Sequence, residues 1–379
     1  MRRFPANDII SLVGAAPRRD LGESTGPDLR LSSLLDEADA ASLAELPLGY
    51  GTPEGDRELR RLIAEMHGVA AEEVVITVGG MHALFLLALI LCDGGAEAVT
   101  TAPLFPLARS ALEVAGAQVR VLPLSFDRGY RPPLEQLRAR LSTHTKLVSV
   151  ASPQNPSGVR LSPAELGEIL RLMRERSPEA CLLVDETYRE AVYGEDAVPP
   201  SAVGLDPSVI SISSLSKCHG APGLRIGWAV VRGRELREQL VMGKFNTVIS
   251  CSSLDEALAV RLLERRQQVI GERRVQLAAG LAAVERWVAQ HAQLIEWVRP
   301  DAGAICCVRL RSGAFDAAGV RRFYAALAAE DARVADGRWF GDDSRIFRLG
   351  FGRLTAAELE GALLSVGRSL QHAARGSAT

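Results

Sequence analysis

The chain has almost no lysine. Of its 44 lysine and arginine residues only three, Lys146, Lys217 and Lys244, are lysines, so nearly every cation is one that keeps its proton. It also lacks CxxC and HExxH pairs. The cysteines Cys92, Cys181, Cys218, Cys251, Cys306 and Cys307 are scattered, four of them in apolar or strand-like stretches. That pattern fits reduced thiols in a cytoplasmic protein and gives a metal site little support. The longest apolar run, "MHALFLLALILC" (Met81–Cys92), falls short of the ~20 residues that a membrane helix needs. "MRRFPANDII" has no apolar core of the kind found in signal peptides. With a net charge of −2 and no block of Lys or Arg, a nucleic-acid surface is not expected either.

What is present is the pattern of an α/β protein. At 379 residues the chain should form about two domains. Short β-branched runs alternate with longer helical ones: Val74–Val78, Ala98–Ala102, Gln118–Leu124, Lys146–Ser152, Cys181–Tyr188, Val209–Ser216 and Ile226–Val231 read as seven strands. Helices are expected from His82 to about Leu91, around Leu107–Ala115 and over Pro163–Arg176. The alternation implies a large domain with a mostly parallel seven-stranded sheet between helices, at roughly 47–265. A long helical stretch, Ser253–His291, leads into a smaller α+β domain built from 266–379 together with 1–46. Strands are expected there at Ala304–Leu310 and Arg345–Phe351, with helices near Ala318–Glu330 and from Thr355.

Ligands in parallel sheets gather at the carboxyl ends of the strands. Several unusual residues fall at such ends: Gly79–Gly80 after the first strand, Asn155 after the fourth, Asp185 at the fifth and Ser214–Lys217 at the sixth. A lysine that can lose its proton is a nucleophilic amine able to condense with a carbonyl.

Together "PQNPSG", "DETY" and "SSLSKCHGAPGLRIGW" make the chain from about Gly49 to Phe351 resemble the class I/II aminotransferases of fold-type I, which use pyridoxal 5′-phosphate (PLP). The resemblance implies that Lys217 forms a Schiff base with PLP and later carries the Cα proton. It implies that Asp185 faces the pyridine nitrogen, that Tyr188 and Asn155 hold the phenolic oxygen, and that Phe105 stacks on the ring. The phosphate would be held by the amides of Gly80 and Met81 with the side chains of Ser214 and Arg225. Tyr50 would reach the phosphate of a neighbouring subunit, making a homodimer with shared active sites. Arg348, in "FRLGF", would clamp the substrate carboxylate; on a strand Arg345 points the other way. The implied activity is exchange of an amino group between an L-amino acid and a 2-oxo acid, with lyase or cyclase chemistry as the alternative.

Three places depart from the family pattern. "DLGESTGPDLR" puts Glu23, Ser24 and Thr25 where relatives tend to be apolar. His82 stands where they often have Glu or Gln. Cys218 and His219 directly follow the lysine; a packed thiol and a helix or turn histidine are favoured over a reactive thiol and a proton shuttle.

Overall fold

A computed structural model of the protein describes residues 4–375; residues 1–3 and 376–379 lie outside the described residues. A short strand, β1 (Arg19–Leu21), precedes three helices, α1 (Leu31–Leu34), α2 (Glu37–Ala44) and α3 (Arg57–His67). Four strand–helix units follow: β2 (Val74–Val78) with α4 (Gly79–Leu91), β3 (Glu97–Ala102) with α5 (Pro106–Ala115), β4 (Gln118–Pro123) with α6 (Leu134–Arg140), and β5 (Thr145–Ala151) with α7 (Pro163–Arg176). Strands β6 (Cys181–Asp185), β7 (Val209–Ser214) and β8 (Ile226–Val231) complete a seven-stranded sheet in the order β2-β8-β7-β6-β5-β3-β4. Only β8 runs against the others.

Local chemistry sets the helix ends. Ser162 caps α7 in a reciprocal box with Glu165, and Pro163 occupies the first helical position, where its missing N–H costs nothing. Gly116 ends α5 in a left-handed conformation that favours glycine. The central strands are apolar on both faces because both faces are covered. Leu147, Leu183 and Ile210 pack under α4 and α5, while Val148, Leu182 and Val209 pack on the opposite side with α6 and α7 residues such as Leu137 and Ile169.

The chain then passes through α8 (Arg234–Val248), α9 (Ser253–Glu264) and α10 (Arg266–Gln290). It continues through β9 (Ile295–Val298), β10 (Ile305–Leu310), α11 (Ala317–Ala329), β11 (Ala332–Asp336), β12 (Ile346–Gly350) and α12 (Ala356–Arg375). A five-stranded sheet, β1-β11-β12-β10-β9, packs on α10, α11 and α12. Among the described residues no helix is long and apolar enough to cross a membrane.

The structure refines two expectations about helices. The long helical stretch over Ser253–His291, which carries no strong punctuation in the sequence, is two helices broken at Arg265, whose backbone leaves the helix (φ −97°, ψ 14°) while its guanidinium reaches Asp39. Helix α4 starts at Gly79 rather than His82, because His82 Nδ1 accepts the amide of Val78 at 3.2 Å and closes the first turn. Strand β1 was not expected at all. It pairs in parallel with β11, Arg19 opposite Ala332, and so aims the following loop, Gly22–Thr25, at the ends of the large sheet.

Candidate active site

A cavity of about 290 Å³ opens at the carboxyl ends of β5, β6 and β7. Nine of the eleven residues singled out from the sequence line it: Gly80, Met81, Phe105, Asn155, Asp185, Tyr188, Ser214, Lys217 and Arg225. Arg348 lies beside it, its Nη1 donating to Asn155 Oδ1 at 2.8 Å. Tyr50 does not reach it; this side chain is 84% exposed on the surface of the single chain.

Adjacent parallel strands set the spacing on the floor. Asp185 is the last residue of β6 and pairs in register with Ala151 of β5 and Ile212 of β7. Its Oδ1 accepts the Thr187 amide at 3.0 Å. Burial pushes its carboxyl above the usual range, and the bonds from Thr187 only partly oppose that. Lys217 follows β7 by three residues and is partly buried. Burial lowers its ammonium to about 8; the Glu23 carboxylate pulls it up, and the Arg348 and Arg225 cations push it down. Its Nζ donates to Ser24 Oγ at 3.2 Å.

The lowered value has a direct consequence for reactivity. The neutral amine is the nucleophile, and an ordinary lysine has only about 0.3% of it at pH 8. In cofactor-free protein, reductive alkylation of Lys217 by a small aldehyde should rise with pH through a midpoint near 8. Mass mapping of the modified residue against pH checks this; a midpoint near 10.5 would contradict the burial described.

At the other end of the cavity, two glycines let the start of α4 lie against the sheet. A Cβ on Gly227 of β8 would strike the backbone of Gly79 and Gly80, and one on Gly79 (φ 72°) would strike the Arg225 guanidinium. Arg225 itself sits in a left-handed turn (φ 50°), which folds its side chain back over Gly79, where Nη1 donates to Pro222 O at 2.7 Å. The helix start thus presents free amides and a positive dipole beside an arginine, an arrangement suited to a phosphate. Gly227→Ala should destabilise the fold by about 1–3 kcal/mol through overpacking and weaken PLP binding as well. Thermal melts and a cofactor titration measure both; undiminished PLP affinity would place the phosphate elsewhere.

Two buried polar atoms around the cavity have no hydrogen-bond partner among the described residues, the hydroxyl of Tyr188 and Nε of Arg348. Burial pushes the Tyr188 phenol up to about 12, so it stays a neutral donor. Arg348 is 1% exposed; beyond Asn155 it donates to Gly22 O and lies over the Phe340 ring, 4.7 Å from its centre. Unpaired buried donors are costly, and a bound anion and a cofactor oxygen would satisfy them.

Sequence reasoning did not assign Thr187, which orients Asp185, although Asp-x-Thr is a recognisable turn signal. It flagged Ser24 without finding its partner, which is 193 residues away. The residues read as bystanders are packed as such. Cys218 Sγ donates to Thr187 O at 3.1 Å, and burial pushes the thiol up to about 12. His219 is buried against Glu190, 3.3 Å away. His82, held neutral by burial and the Lys244 cation, serves α4 rather than the cavity.

The chain belongs to the aminotransferase class I and II family, whose model matches residues 21–366. It is a PLP-dependent enzyme of fold-type I. It is 32% identical over 347 residues to capreomycidine synthase of Streptomyces vinaceus, a match that spans 88% of this chain and 84% of that protein. Its fold is that of a PLP-dependent aminotransferase from Streptococcus suis (TM-score 0.89, 23% identity, 97% and 98% of the two chains). The PLP-dependent cyclase OrfR is also similar (TM-score 0.84, 26% identity, 98% of each chain).

Proposed function

We propose that the protein takes the Cα proton from an L-amino acid held by its carboxylate, with Lys217 as the base, and passes its amino group to a 2-oxo acid. The observation that supports this best is the convergence of Lys217, Asp185, Tyr188 and Asn155 on one cavity with the buried fork of Arg348 at its side. PLP, when bound, supplies the electron sink for the pair left at Cα. The unpartnered Tyr188 hydroxyl, the Asp185 carboxylate and the glycine-opened helix beside Arg225 fit such a group. Asp185 would face its ring nitrogen, Tyr188 and Asn155 its phenolic oxygen, and Phe105 the flat of its ring. Gly80, Met81, Ser214 and Arg225 would hold its phosphate.

The residues then divide the work. Arg348 binds and orients the substrate carboxylate, using two directed donors where a lysine would offer a point charge. Lys217 needs a pKa near the working pH to both take and return a proton, and its burial provides that. Ser24 Oγ, bonded to Nζ, restrains the free amine. The exposed Tyr50 supports a homodimer in which each subunit completes the other's site, and six cysteines without a disulfide support a cytoplasmic setting.

A second reading is favoured by the polar Glu23–Thr25 loop and by the likeness to capreomycidine synthase and the cyclase OrfR. There the same Cα deprotonation is followed by elimination or ring closure, with no 2-oxo acid consumed. One experiment separates the two. The holoenzyme is mixed with single amino acids while the cofactor spectrum is followed, and products are weighed with and without pyruvate. A 2-oxo acid formed in proportion to new alanine supports transamination; ammonia or a cyclised product without an acceptor supports the second reading. If no amino acid changes the spectrum, both fail.

A further inference from the structure

The loop entering the site from β1 carries a carboxylate that the chemistry above does not use. Gly22 gives its carbonyl to Arg348, and Ser24 accepts from Lys217 at 3.2 Å. Glu23 is therefore held between the residue that clamps the α-carboxylate and the residue that moves the Cα proton. Its backbone is fixed, because its carbonyl lies where any Cβ at Gly350 would have to go. The partly exposed carboxylate takes only the amide of Ser24, at 3.3 Å, and makes no ion pair among the described residues.

The charged groups around it are Lys217, Arg348 and Arg333, all of which feel its field without pairing with it. Arg333 is taken by Asp20, through Nε at 3.0 Å and Nη2 at 2.6 Å. Asp185, the carboxylate lining the cavity around Lys217, is engaged by Thr187. Glu23 does not line the cavity itself, but it is an uncommitted anion whose field reaches both Lys217 and Arg348 at the cavity. An acidic side chain brought here would be repelled, and an apolar one would take water from a carboxylate and give nothing back.

We propose that Glu23 receives a cationic substrate side chain, an ammonium or a guanidinium, and so selects a basic L-amino acid. This rests on the assignment of Arg348 and Lys217 to the substrate's carboxylate and Cα proton. One end of the substrate then meets a buried cation and the other an anion without an ion-pair partner among the described residues, which also sets its direction in the cavity.

The test compares L-arginine with L-citrulline, which has nearly the same shape and no charge. Binding is read from the cofactor spectrum of the holoenzyme, and by calorimetry on borohydride-reduced holoenzyme, in which chemistry is blocked. The wild-type protein should bind arginine about 10- to 100-fold more tightly than citrulline, the range of a charge-assisted hydrogen bond. Glu23→Gln should remove that preference and leave citrulline affinity unchanged, while Glu23→Asp should keep part of it. Equal wild-type affinities overturn the proposal, as does a Glu23→Gln variant that weakens both ligands alike. Should Glu23→Gln fail to fold, the wild-type ratio decides alone. Failure of every amino acid to bind, with the cofactor in place, overturns the assignment underneath as well.

Discussion

Lys217→Ala should lower kcat/KM by at least about 10³-fold while leaving the fold intact. A positioned base contributes about 10²- to 10⁴-fold, and this substitution also removes the amine that exchanges with substrate. The fold should survive because, among the described residues, Lys217 makes one side-chain hydrogen bond, to Ser24, and no ion pair. Stability should in fact rise at low pH. The ammonium is depressed from 10.5 to about 8 by burial, so the unfolded chain binds the proton more tightly than the folded one. That costs the cofactor-free protein on the order of 2–3 kcal/mol below pH 8, and the cost fades as pH rises from 8 to 10.5. Melting the cofactor-free variant beside wild type at pH 6.5 and pH 10 measures the difference. Equal melting temperatures at pH 6.5 would mean that the amine is well solvated, and turnover within tenfold of wild type would remove Lys217 from the reaction.

Arg348→Ala should raise KM for the amino acid by about 10²- to 10³-fold, since loss of one partner of a buried charged pair costs about 2–5 kcal/mol. The affinity for PLP should change far less, because Arg348 contacts Asn155, Gly22 and Phe340 rather than the helix start that would take the phosphate. Arg348→Lys should recover little, having charge without the planar fork. The variant loses packing beneath Phe340, so its kinetics belong well below its melting temperature. A KM unchanged within about threefold, with PLP affinity lost instead, would move the carboxylate clamp to another residue and make Arg348 a brace for Asn155.

The large sheet and the strand ends that carry the chemistry were legible because they are written locally. Continuous apolar runs such as Cys181–Val184 need both faces covered, and the punctuation around Gly79 and "PQNPSG" marks where the strands stop. What stayed hidden depends on residues far apart in the chain. Nothing near Arg19 announces that it will lie opposite Ala332, and that pairing is what delivers Ser24 to Lys217. The break at Arg265 has no glycine or proline to signal it; an ion pair with Asp39 accompanies it instead. His82 looked like a departure inside the site, but it caps its own helix. Tyr50 is a different case, since a single chain offers it no cavity to enter.

The scarcity of lysine makes this protein unusually easy to audit. Lys146 is tied to Glu179 near the surface and Lys244 is sealed inside, so a protease specific for lysine has three cuts to make in the denatured chain, after 146, 217 and 244. Any agent that permanently caps the middle amine leaves the pieces 147–217 and 218–244 joined as one. A single fragment spanning 147–244 on a gel would then report how many molecules in a preparation carried the cap, with no need for a substrate.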